Sequence, residues 1–161
     1  MKQGLKVAAL VAVSLGIIAG PMTYKANAAS TTYVVDPAFE ACTQKVLVEQ
    51  RRPFKKDNCA ERVQRFLNQY KFLMGANGDS NKVPRAWTTL AIDKKYGPLT
   101  RKTVQEYQRL KQNDSDPSAH SGPVDGKVGK LTWASIRRDC VDTWAARNFR
   151  SNVCYKRVTN R

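Results

Sequence analysis

One stretch of this sequence occurs twice, and the repeat restricts the fold more than any other feature. Ile92-Asp93-Lys94-Lys95-Tyr96-Gly97-Pro98-Leu99-Thr100 returns as Val124-Asp125-Gly126-Lys127-Val128-Gly129-Lys130-Leu131-Thr132, with Asp, Lys, Gly, Leu and Thr identical. The match continues in Thr103/Ser135 and Val104/Ile136. Each copy reads as a turn that launches a helix. Gly97 and Gly129 can adopt positive φ, and Thr100 and Thr132 suit N-caps. Leu99 with Val104, and Leu131 with Ile136, stand at the spacing of a hydrophobic staple. Asp93 and Asp125 have the short side chain that accepts amides inside a turn.

The rest of the pattern is helical. Asp36-Pro37 opens a helix, and Phe39, Cys42 and Val46 carry it to about Gln50. Asn58 caps a second helix, with Glu61 facing its first amides, and Val63, Phe66, Leu67 and Tyr70 form its apolar stripe. A third begins at Thr100, with Val104, Tyr107 and Leu110 on one face, and a last one runs from Thr132 to about Arg138. Gly75 to Ala91 is a long polar insertion, and Asn113–Pro123 is a loop. Short strands are expected at most at 33–35 and 92–96.

The first 28 residues have the layout of a secretory signal peptide: Lys2 and Lys6, an apolar run over Val7–Ala19, and Ala26-Asn27-Ala28 as a small-x-small cleavage site. That run is short for a membrane span, and no later one is longer. The remaining chain is long enough to bury about two thirds of its unfolded surface. Cys42, Cys59, Cys140 and Cys154 follow the signal, and an even number there reads as two disulfides in an oxidising compartment. Cys42–Cys59 with Cys140–Cys154 closes two local loops, each contributing roughly 3 kcal/mol by chain entropy. The nested pairing Cys59–Cys140 with Cys42–Cys154 satisfies the spacing equally.

The run from about Cys59 to Arg137 resembles the bacterial peptidoglycan-binding domain. The resemblance rests on Val63-Gln64-Arg65-Phe66-Leu67-Asn68, on the first turn followed by Tyr107-Gln108, and on the second turn followed by Trp133. Lys94 departs from the glycine usual in the first turn, and the link over Gly75–Ala91 is longer than usual. The resemblance implies a mainly α fold, a small three-helix bundle at 58–138. An N-terminal extension at 29–57 and a basic one at 139–161 would be tethered to it by the disulfides. It also implies a binding region between the repeat turns and the helices they launch, where Tyr96, Arg101, Gln105, Lys127 and Trp133 are available. Four of these have a plainer reading: Trp133 and Tyr96 as packed aromatics, Arg101 and Lys127 as solvated charges. Trp87, an aromatic in a polar insertion, is either a ligand platform or a plug that pins the insertion down.

Charge points the same way. Lys and Arg number 28 against 13 Asp and Glu, a formal +15, most of which lies beyond the signal. Such a balance favours accumulation on a polyanionic surface such as peptidoglycan or an anionic wall polymer. It also favours non-specific nucleic-acid contact, but the leader and the scattered cations argue against a specific nucleic-acid partner. A single His, His120, leaves a catalytic triad or the usual zinc hydrolase site without its ligands or base. No metal or cofactor is called for. A glycoside hydrolase needs only two carboxylates, for which Glu40, Glu49, Glu61 and Glu106 are the candidates. Glu61 lies at a helix N-terminus, which favours its charged form, and Glu106 is expected to face solvent. A secreted adaptor or inhibitor that faces a protein such as a wall hydrolase through Trp144 and Phe149 is the remaining class. The sequence therefore predicts a secreted, non-catalytic wall-binding protein.

Overall fold

The computed structural model describes residues 31–76, 84, 87–141 and 153–159. The described chain is mainly helical: β1 (Thr31–Val35), α1 (Pro37–Thr43), α2 (Asn58–Ala76), α3 (Pro98–Gln112), a 3₁₀ turn at Pro117–Ala119, α4 (Lys130–Val141) and β2 (Tyr155–Thr159). β1 and β2 pair antiparallel, with Thr31 opposite Thr159 and Val35 opposite Tyr155. The 33–35 segment thus lies in a strand, whereas 92–96 does not. The partner strand at 155–159 had no alternating apolar pattern to announce it. None of the described helices is long and apolar enough to cross a membrane. Trp144 and Phe149 lie outside the described residues.

α2, α3 and α4 meet over one core. Val63, Phe66 and Leu67 of α2 are fully buried, with Val104 and Tyr107 of α3 and Trp133 and Ile136 of α4. Phe66 and Tyr70 both present edges to Tyr107, their centroids 5.4 Å from it. Phe39 of α1 meets Trp133 edge-on at 5.8 Å, so the N-terminal extension is part of this core rather than an appendage. Disulfides join Cys42 to Cys59 and Cys140 to Cys154, the pairing that closes two local loops. Such cross-links fit an oxidising environment.

Helix starts differ from the sequence expectation in an instructive way. Asp57, not Asn58, caps α2, its carboxylate accepting the Cys59 amide at 2.7 Å. α3 begins at Pro98 behind Gly97, which offers no side-chain cap, and α4 begins at Lys130. Thr100 and Thr132 therefore lie inside their helices and are not N-caps. The staple is also absent, since Leu99 and Leu131 are half exposed. Gly97 has φ −95°, and positive φ falls instead on Lys94 (66°) and Gly126 (70°), the equivalent positions of the two turns. α1 ends at Thr43, well short of Gln50, and residues 44–57 leave it as a strap drawn away by the bridge between Leu47 and Val128.

Buried glutamines hold the two turns. Gln64 on α2 donates to Asp93 at 2.7 Å, to the Lys95 carbonyl at 3.0 Å and to Thr100 at 3.3 Å, and accepts the Lys94 amide at 3.1 Å. Gln108 on α3 does the same for the second turn. It donates to Lys127 O at 2.9 Å and Thr132 at 3.2 Å, and accepts the Gly126 amide at 2.9 Å. Asp93 and Asp125 accept the Lys95 and Lys127 amides, closing each turn as expected. Each helix thus fixes the turn that launches the next one.

Candidate functional site

The strap lies across both turns and makes them one surface. Leu47 and Val128 exchange backbone hydrogen bonds at 3.1 and 2.9 Å, Gln50 donates to the Tyr96 carbonyl, and Asp57 donates to that of Lys94. The Trp133 indole donates to Lys45 O at 2.8 Å. Between the strap's second half and the second turn lies a cleft of about 580 Å³. It is lined by Glu49, Arg51, Arg52 and Phe54 from the strap, by Pro98 and Arg101 from the start of α3, and by Asp125, Gly126 and Lys127.

Its floor depends on Gly126. A Cβ there would come within 2.5 Å of Arg101 Cγ and 2.9 Å of Gln105 Cγ, so the turn can approach α3 this closely only as glycine. The Tyr96 hydroxyl donates to the Gly126 carbonyl at 2.8 Å, fixing the turn from beneath, and burial pushes that phenol's pKa up. Around the mouth, Arg101 pairs with Glu49 at 3.0 Å and Lys127 approaches Asp125 at 3.8 Å. The Arg52 guanidinium lies 6.0 Å above the Phe54 ring. Four cations, two acceptor carboxylates and one aromatic ring thus face a single hollow. Guanidinium forks suit carboxylate or phosphate oxygens, while Glu49 and Asp125 can accept from hydroxyl or amide groups.

Arg101 and Lys127 are exposed in this cleft, and Gln105 does not line it but packs half-buried against Gly126. The aromatic candidates are elsewhere. Tyr96 and Trp133 are in the core, and Trp87 is buried against Tyr70, nearly parallel at 6.0 Å, as a plug for the insertion. None of the three offers a free face for stacking. Next to it Asn68 clasps Leu90 through both its amide and its carbonyl, at 2.8 and 2.9 Å. Arg51 and Arg52 were not among the site residues expected from the sequence. The unbroken Arg51-Arg52-Pro53 run beside Phe54 was the available signal for the other half of the cleft.

The carboxylates proposed for acid chemistry are each set against a cation. Glu40 pairs with Arg137 at 3.2 Å, Glu49 with Arg101, and Glu106 with Arg109. Glu106 is buried rather than solvent-facing, because α3 turns that side toward the core. Hydrogen bonds from Arg65 and Lys94 hold Glu61 below its ordinary pKa. His120 places its ring 3.3 Å from the Asp114 carbonyl. Among the described residues no group of His, Cys, Asp and Glu is placed to hold a metal ion. No protein-family model, curated protein or solved structure matches this chain.

Proposed function

We propose that the protein is a secreted, non-catalytic binder of bacterial peptidoglycan, taking carboxylate-bearing glycopeptide into the cleft between strap and second turn. The observation that carries this reading is the meeting of Arg51, Arg52, Arg101 and Lys127 around one hollow with Phe54. The resemblance of 59–137 to the peptidoglycan-binding domain supports it, as do the excess positive charge and the two disulfides. Binding is non-covalent, requires no metal or cofactor, and leaves the wall intact. The turn-and-glutamine architecture serves as the scaffold that sets the cleft's width.

The test is retention on purified insoluble sacculi. Replacing both Arg51 and Arg52 by Ala removes two exposed cations without touching the core, so folding should be preserved. Retention is expected to fall at least about tenfold, matching the loss of two charge-assisted contacts. Unchanged retention would remove the cleft from the account.

A further inference from the structure

We infer that the strap's outer edge, at Val46 and Val48, is a docking site for an extended acidic segment of a partner protein, which adds to it as a short β-strand. Leu47 directs both its amide and its carbonyl to Val128. Along extended chain successive residues point these groups to opposite edges. Those of Val46 and Val48 therefore face away from Val128, and no backbone hydrogen bond engages them among the described residues. Val46 and Val48 are 64% and 45% exposed, whereas Leu47 is 5% exposed. An uncovered edge bearing apolar side chains is a template for strand addition.

The surroundings specify the occupant. Val48 borders the cleft already described, and Val46 borders a second hollow of about 440 Å³ between the strap and α4. Lys45, Lys130 and Arg137 line the second hollow, as Arg51, Arg52 and Lys127 line the first. Cations outnumber the facing carboxylates in both hollows, where Glu40 pairs with Arg137, Glu49 with Arg101 and Asp125 with Lys127. The edge is thus an apolar centre between two cationic ends. An extended peptide with apolar residues between acidic ends matches both features. A carboxylated glycan meets the cations but has no regular ladder of amides and carbonyls to offer Val46 and Val48. This site takes a protein along its backbone edge and shares with the wall-binding reading only the cations of the cleft, Arg51, Arg52 and Lys127.

The test uses the oxidised protein and a short peptide with a Val-Thr-Val centre and two glutamates at each end. On saturation, amide exchange at Val46 and Val48 should slow at least about tenfold while Leu47 changes little. Val48→Pro, which deletes one ladder donor, should weaken the peptide at least about tenfold, and Val48→Thr should bind within about threefold of wild type. Should Val48→Pro fail to fold, amide protection in the wild type decides alone. Binding without protection of those amides would overturn the inference. So would an equal effect from polygalacturonate, a carboxylate polymer without a peptide backbone, since that would reduce the surface to charge. Neither result would affect retention on sacculi, which is read through Arg51 and Arg52.

Discussion

At the scale of single residues, Gln64 and Gln108 matter most, and they show what a sequence reading passes over. Both stood in the quoted pattern, but nothing in a one-dimensional string says that a helical glutamine reaches sideways into a distant turn. The repeat was legible, and so were the Asp93 and Asp125 turns. The cap and staple roles were not, because Thr100 and Thr132 are one helical turn further in than local rules suggest. Gln108→Leu should lower stability by about 2–4 kcal/mol, since it strands the Gly126 amide and the Lys127 carbonyl in the interior. Urea unfolding would check this. The paired turns also predict opposite outcomes for opposite substitutions at equivalent positions. Gly126→Ala meets both a positive φ and a 2.5 Å clash and should cost about 2 kcal/mol or more. Lys94→Gly relieves the same backbone strain and should gain about 0.5–1 kcal/mol, even with the exposed Glu61 pair lost.

At the scale of elements, the helices of the bundle were legible from their apolar stripes, and their contacts follow. The strap was not, since Val46 continues the helical spacing of Phe39 and Cys42 yet stands exposed, while Leu47 is drawn to Val128. A tertiary pairing overrode a local period there, and with it half the cleft was hidden. Charge also couples elements. α3 and α4 are joined by a buried ion pair, Lys111 to Asp139 at 2.7 Å, with the Tyr107 hydroxyl donating to the same carboxylate at 2.8 Å. Burial raises the Asp139 pKa, and Lys111 offsets this only in part. Folded protein therefore holds that proton more tightly than unfolded chain, and Asp139 contributes less stability as pH rises through its folded value. Asp36 and Asp93 run the other way. Burial pushes each up, but the Ala38 amide and Arg62 for Asp36, and the Lys95 amide and Gln64 for Asp93, more than offset it. Their contribution is complete above the ordinary carboxylate range and is lost as pH falls through their lowered values. Asp139→Asn should therefore steepen the loss of stability on acidification from about pH 6 to pH 3, measured as urea midpoints. An unchanged or shallower slope would contradict the assignment.

At the scale of the whole molecule, the two ends of the described chain are brought together. β1 pairs with β2, the Asp36 amide donates to the Cys154 carbonyl, and Arg62 spans Asp36 and Val153 at 2.6 Å each. The Cys140–Cys154 disulfide locks this closure to α4. Cys140→Ser with Cys154→Ser should remove roughly 3 kcal/mol and speed amide exchange in β1 before it speeds exchange in α2 or α3. Simultaneous loosening of all three would mean that the closure is not a separate unit. The helical class was readable from period and two disulfides from the even cysteine count, but spacing left their pairing open, and the strand pairing of the ends depends on contacts no local pattern encodes. Contacts of similarly long range, from Leu47 to Val128, Gln50 to Tyr96 and Asp57 to Lys94, hold a basic strap over the two repeated turns, and the functional reading rests on that surface. Its most direct test is retention of the oxidised protein on sacculi stripped of their anionic polymers, across a salt series, with turbidity followed in the same tubes. The account predicts retention that survives high salt and no clearing. Retention that disappears once salt screens the charge, or a falling turbidity, would contradict it.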